Sequence, residues 1–276
     1  MTKILKINPI SPEPSKIIEA AEVIKKGGTA AFPTETVYGL GADALNPEAI
    51  RKVFKAKGRP SDNPLIVHIA TLADLELIAK RPTKRSLALI NSFWPGPLTI
   101  ILKRKKIVPD IVTGGLDTVA VRMPDNKIAL ALIKKSGVPL VAPSANLSGK
   151  PSPTRARDVV ADLHGKVDLI IDGGKTRIGI ESTVIDMTTS PPTLLRPGGL
   201  SVEEIEKVAG PVQRLSASDE NKPARSPGMK YRHYAPKAKM VIVEGDLFKP
   251  AIKGLKEGKK VGILTFRKGF KIDGCV

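Results

Sequence analysis

Between residues 169 and 195, three apolar runs (169–172, 183–187 and 193–195) follow one another with no helical pattern between them. Parallel strands need crossovers of a dozen or more residues, usually helices, so strands this closely spaced bring antiparallel pairing into the sheet. Elsewhere the chain alternates. Ser15 is placed to cap a helix with Ile17, Ala20, Ala21 and Ile24 on its buried face, and Asn46-Pro47 opens another that buries Ile50, Val53 and Phe54. Further helices are predicted over 83–93, 126–135 and 154–163, with capping-box spacing at Thr71/Asp74 and Ser201/Glu204. Strands are predicted at 29–32, 65–69, 98–102, 119–122 and 140–142, and the alternating N-terminus reads as an edge strand. The pattern specifies an α+β (α/β-like) fold: a twisted mixed β-sheet flanked by helices.

This catalytic-sized domain is expected to span 1–210. A stretch without periodicity, 211–237, follows; its second half, Ser226-Pro-Gly-Met-Lys-Tyr-Arg-His-Tyr-Ala-Pro236, is too rich in tyrosine, arginine and histidine for a plain linker. It is expected to dock back as an ordered lid. Residues 238–276 open a small βαβ unit, with strands at 240–243 and 261–265 around a helix at 247–255. On its own this unit is too small to bury a core, so the chain reads as truncated in a second domain.

The densest chemistry lies at Phe32-Pro-Thr-Glu-Thr-Val-Tyr-Gly-Leu-Gly41, at the end of a buried strand. Pro33 is expected to stop the ladder, and the glycines to serve the turn. Four further clusters stand at element ends. Lys57-Gly-Arg59, with Asn63, suits an anion, although a basic helix C-terminus accounts for it equally well. Arg122 ends the apolar run that begins at Thr118, where a guanidinium requires an anion, from protein or ligand, to receive it. Ser144-Ala-Asn146, followed by Ser148, Gly149 and Ser152, lets a backbone approach a ligand closely, or taken alone forms a helix N-cap turn. Ser182 opens one strand and Arg196 closes the next, with Gly198 and Gly199 readable as a turn.

Several chemistries are excluded or left without a motif. The lone Cys275 excludes disulfides within the chain and cysteine zinc sites, and His68, His164 and His233 are isolated. There is no Gly-x-Ser-x-Gly elbow and no Gly-x₄-Gly-Lys-Ser/Thr loop. A net charge of +18 favours polyanions such as nucleotides or RNA but serves solubility too, so a non-catalytic RNA-binding module in tRNA or rRNA maturation stands as the rival class. No apolar run is long enough for a membrane helix, no membrane partner is expected, and the cytoplasm is the expected compartment.

Taken in order, PTETVYGLG, Lys57-x-Arg59, DTVAVRMP, Ser144-x-Asn146, GIESTVID, LLRPG and SPGMKYRHYAP resemble the YrdC-like family in its two-domain threonylcarbamoyl-AMP synthase form, over roughly residues 1–237. The resemblance implies an L-threonylcarbamoyladenylate synthase, a nucleotidyltransferase. It would join L-threonine, bicarbonate or CO₂, and ATP, releasing pyrophosphate, for tRNA modification beside the anticodon. It implies threonine at Thr36, His68, Arg122 and Ser182. ATP would lie at Lys57, Arg59, Asn63, Thr118, Ser144, Asn146, Ser152, Arg196, Tyr231, Arg232 and Tyr234, with Lys57 and Arg59 at the reacting phosphate. Mg²⁺ would arrive on ATP rather than in a protein metal site. A downstream tRNA threonylcarbamoyl transferase complex would receive the product, and a weak contact with tRNA is compatible with the charge.

Overall fold

The computed structural model describes residues 1–214, 239–266 and 269–276. It divides into two compact units, Met1–Ala235 and Pro236–Val276. In the first, the described strands are β1 Lys3–Lys6, β2 Ala30–Pro33, β3 Tyr38–Asp43, β4 Ile66–His68, β5 Leu98–Lys103, β6 Thr118–Arg122, β7 Leu140–Val141, β8 Leu169–Asp172, β9 Thr183–Asp186, β10 Thr193–Arg196 and β11 Gln213–Arg214. They form one sheet in the order β1-β8-β2-β3-β7-β4-β6-β5-β9-β10-β11. Parallel pairs such as β4–β6 and β5–β9 alternate with antiparallel ones such as β2–β3 and β9–β10, as the closely spaced runs require. β1 lies at one edge.

The helices are α1 Pro14–Lys25, α2 Pro47–Lys57, α3 Leu72–Ile78, α4 Lys84–Phe93, α5 Asp110–Thr113, α6 Lys127–Ser136, α7 Ala156–Leu163 and α8 Val202–Ala209. Where the sequence supplies a cap, the helix uses it. Asn46 accepts from Glu48 and Ala49, Asn126 accepts from Ile128 and Ala129, and both capping boxes close. α1 differs from expectation. It starts at Pro14, leaving Ser15 inside the helix, because proline presets the first helical turn. Glu13 instead accepts the Asn8 N–H at 2.9 Å and pairs with Lys16.

Alternation along the strands sorts the sheet into two faces. One carries the main core, with Val67, Val119, Val121, Val141 and Ile185 packed with residues of α2, α4, α7 and α8. On the other, α1 and α6 pack over Ala30, Phe32, Leu140, Leu169 and Ile171. The remaining half of this second face holds a small cluster, Ile66, Ile101, Ala120, Val184 and Leu195. Ile66 shares its face of β4 with His68, and Ala120 shares its face of β6 with Arg122. Polar chemistry therefore stands on this second face, beside the apolar cluster.

Three local expectations change. The 34–41 stretch is a short loop followed by β3, with Pro33 still in register opposite Tyr38. Its glycines are not turn glycines. A Cβ on Gly41 would lie 2.6 Å from Phe32 Cε1, and one on Gly39 would lie 3.2 Å from Ala142 Cβ, so both serve close packing inside a strand. In the second unit, α9 Phe248–Lys256 forms, and Phe248 meets Phe270 edge-on at 5.3 Å. The strands expected at 240–243 and 261–265 do not form among the described residues. Val276 accepts the Ile263 N–H and donates to the Val261 carbonyl, a pairing too short to make a strand, while Met240, Val241, Ile242 and Leu264 are exposed.

Candidate active site

A cleft open to solvent lies on the second face of the sheet rather than beyond the ends of its strands. One wall is the 34–37 loop. Thr34 Oγ1 accepts the N–H groups of Thr36 and Val37 and stands 2.7 Å from the Val37 carbonyl, to which it donates its single proton. The two hydroxyls stand 2.8 Å apart, and Thr36 Oγ1 lines the cleft with its remaining hydrogen-bonding capacity. Behind the loop, the Tyr38 hydroxyl donates to Gly174 O at 2.6 Å, and burial raises its pKa well above the usual phenol range, so it stays protonated.

The floor comes from β4 and β6, whose register sets His68 opposite Arg122. Both are buried. Arg122 Nε donates to Gly96 O at 3.2 Å, and Nη2 stands 2.7 Å from Glu35 Oε1, with side-chain exposures of only 4% and 1%. The protein thus supplies the counter-charge that a buried arginine required, but not in hydrogen-bond geometry: Arg122 Nη2 and both Glu35 oxygens are left without a hydrogen-bond partner. Burial, and then the charge of Arg122, hold the His68 imidazole down at about 3, so it is neutral throughout the ordinary range. His68 Nδ1 is buried without a hydrogen-bond partner.

Lys57, the last residue of α2, stands beside the 144–150 loop. Its ammonium donates to Ser144 O, to Asn146 O at 2.7 Å and to Asn146 Oδ1 at 3.4 Å. All three N–H directions serve the loop. Burial and the neighbouring Arg59 charge pull the lysine down to about 7. Asn146 is also spent on the loop: Oδ1 accepts from Ser144 Oγ at 2.6 Å, and Nδ2 donates to Leu147 O and Lys150 O. No helix begins there, so the N-cap alternative does not hold. Arg59 donates to Pro64 O at 3.0 Å.

On the remaining wall, Ser152 Oγ donates to Glu181, and Ser182 Oγ shares a 2.8 Å bond with Thr99. Arg196 reaches back to Ser182, with Nη2 2.9 Å from its carbonyl oxygen and 3.2 Å from Oγ. Gly198 makes this packing feasible. A Cβ there would stand 2.4 Å from Glu181 O and Ser182 C, and its φ is not in the left-handed region, so it answers to close backbone approach rather than to a turn.

Thr36, Lys57, Arg59, His68, Arg122, Ser144, Asn146, Ser152, Ser182 and Arg196 all line this one cleft. Asn63 and Thr118 do not. Asn63 is buried with Oδ1 unpartnered. Thr118 shares the face of β6 with Arg122, but four residues away, roughly 13 Å along the strand. Tyr231, Arg232 and Tyr234 lie outside the described residues. Lys150 lines the cleft without having been singled out; Glu181 also lines it and, though it opens the Glu181-Ser182-Thr183 cluster, had no assigned role, nor had Glu35. The GIESTVID motif contained Glu181, but its pairing with Ser152 spans 29 residues and leaves no local signal.

Comparison with known proteins places this geometry. The Sua5–YciO–YrdC family model, described as telomere recombination, matches residues 22–198. A second model, described as threonylcarbamoyl-AMP synthase, C-terminal domain, matches residues 200–272. A threonylcarbamoyl-AMP synthase of Pyrococcus abyssi is 56% identical over 259 residues, covering 90% of this chain and 76% of that protein. One of Bacillus subtilis is 50% identical over 264 residues, covering 93% and 75%. The crystal structure of P. abyssi Sua5 complexed with L-threonine superposes with a TM-score of 0.91 at 53% identity, over 95% of this chain and 80% of that one. With the first model matching well over half of its length, and relatives this similar along nearly all of it, the chain belongs to the Sua5–YciO–YrdC family.

Proposed function

We infer that the chain is a threonylcarbamoyl-AMP synthase, a nucleotidyltransferase that makes threonylcarbamoyl-AMP and pyrophosphate from L-threonine, bicarbonate or CO₂, and ATP. The observation that carries this is a single cleft holding a buried guanidinium, a hydroxyl group and a set of cations, in a chain half or more identical to synthases along nearly all its length.

The reaction needs positioning and charge neutralisation more than covalent chemistry. Arg122, held by Glu35 and Gly96, receives the threonine carboxylate. Thr36 Oγ1 and Ser182 orient the amino and hydroxyl groups, and neutral His68 offers its unpartnered Nδ1. The amine attacks the carbon of CO₂, releasing a proton, or of bicarbonate, releasing water, and yields a carbamate. A carbamate oxygen then attacks the α-phosphorus, and pyrophosphate leaves. Arg59 and Arg196 face the phosphates, with the Ser144–Asn146 loop and Ser152 along the nucleotide. Lys57 acts by its charge and by fixing that loop, since its donors are already engaged. Asn63 and Thr118 lie outside the cleft lining and are given no direct contact here. Tyr231, Arg232 and Tyr234 complete the proposal as a lid.

Mg²⁺ belongs to the same proposal. Among described residues no group of three potential ligands exists, and Glu181, bonded to Ser152, is the one carboxylate lining the cleft. That donor set suits an ion carried in on the triphosphate, whose charge it would neutralise. No helix among the described residues is long and apolar enough to cross a membrane. The proposed setting is the cytoplasm, with hand-over to a separate tRNA threonylcarbamoyl transferase complex and a weak tRNA contact favoured by the +18 charge.

Pyrophosphate release from ATP should require both threonine and bicarbonate. Release indifferent to threonine would sink this reading, and salt-sensitive RNA binding without such release would favour the RNA-binding alternative. The pH dependence follows from Lys57. Its cationic form is the working one, so kcat/KM for ATP should fall as pH rises through about 7, while neutral His68 adds no limb near neutrality. A profile flat between about pH 6 and 9 would exclude a working charge on Lys57.

A further inference from the structure

We propose that Asp162, on α7, is the positioning residue of the loop that carries Ser144 and Asn146; the inference rests on the nucleotide-binding role just assigned to that loop. Asp162 does not line the cleft. Its carboxylate stands behind the loop, with Oδ2 accepting the Leu147 N–H at 3.1 Å and Oδ1 2.5 Å from Lys150 Nζ, and the side chain is only 11% exposed. Lys150 is in turn bound to Asn146, whose Nδ2 donates to its carbonyl at 2.7 Å. The loop is thus held between two opposite charges: Lys57 grips the Ser144 and Asn146 carbonyls from α2, and Asp162 grips Leu147 and Lys150 from α7.

The two charges also act on each other. The charged groups facing Lys57 are Arg59, which disfavours its ammonium, and Asp162, which favours it. Asp162 therefore does two separable things. It places hydroxyl and amide groups for a polyanionic ligand ahead of binding, and it supports the cation that clasps the loop from the other side.

Substitution separates these roles. Asp162→Asn retains an acceptor for Leu147 but removes the charge, whereas Asp162→Ala removes both. For Asp162→Asn we expect KM for ATP to rise about tenfold with kcat within about twofold, and the alkaline limb of kcat/KM for ATP to move to lower pH. Asp162→Ala should raise KM further. Asp158→Asn, on an exposed position of the same helix, should leave both readouts unchanged. Thermal unfolding establishes that each variant is folded; if Asp162→Ala is not, Asp162→Asn carries the test. A folded Asp162→Asn with wild-type KM and an unmoved alkaline limb overturns the proposal, even if its melting temperature falls. If wild-type protein releases no threonine-dependent pyrophosphate, the functional reading fails on its own. Titration with a fluorescent ATP analogue then decides the role of Asp162: weaker binding by the Asn variant supports it, and equal binding overturns it.

Discussion

Glu35→Ala is expected to destabilise the first unit by roughly 3–5 kcal/mol and to abolish threonine-dependent pyrophosphate release. The magnitude follows from where the pair sits. Arg122 is 4% and Glu35 1% exposed, so removing the carboxylate strands a guanidinium in a site that water scarcely reaches. The attraction within the intact pair is largely offset by desolvation, so most of the loss is the penalty on the orphaned charge. Replacing both residues, as in Glu35→Ala with Arg122→Met, should therefore recover much of the stability, because no buried charge remains. It should recover no activity, because the proposed carboxylate receptor has gone. Chemical denaturation of the two single variants and the double variant tests the coupling. Additive losses would show that the pair is not the energetic unit described here.

Gly198→Ala should cost about 1–3 kcal/mol, toward the upper end, and should reduce turnover more than stability. The added methyl would stand 2.4 Å from both Glu181 O and Ser182 C and 2.5 Å from Thr183 N. These are backbone atoms, which cannot rotate out of the way as a side-chain tip can. Relief requires moving the segment that presents Glu181 and Ser182, and with it the carbonyl that fixes Arg196. Gly199→Ala is the informative comparison. Its nearest neighbour would be Pro97 Cβ at 3.0 Å, so a smaller shift suffices and turnover should suffer less. Equal, mild effects at both positions would show that the close approach at Gly198 does not matter.

What could be read in the chain was whatever is encoded locally. The caps at Asn46, Thr71 and Ser201 are contained within four residues and reappear in the structure. The mixed sheet followed from runs too close together for parallel crossovers. Ten of the proposed site residues share one cleft; most stood out as polar or charged groups at element ends, but His68 read alone as isolated, and its place in the site, like each ligand assignment, came from the family resemblance. What escaped depended on distant neighbours. The role of Glu35 rests on Arg122, 87 positions along the chain, and the donors of Lys57 are consumed by carbonyls equally far away. Gly39, Gly41 and Gly198 looked like turn residues because an absent Cβ reads the same in sequence whether it permits a positive φ or a close neighbour. Thr118 shows the limit of motif reasoning, since it shares a motif and a strand face with Arg122 yet lies at the strand's other end.

The alternation along β4 and β6 has a bearing on how the chain finds its fold. Val67, Val119 and Val121 face the main core, while His68 and Arg122 point the other way. Sliding β6 by one residue against its neighbours would drive the guanidinium into packed valine and leave Glu35 without its counter-charge. The pair proposed to serve the substrate thus also penalises misaligned sheets. The arginine proposed to receive the substrate is in this sense a proofreader of its own assembly.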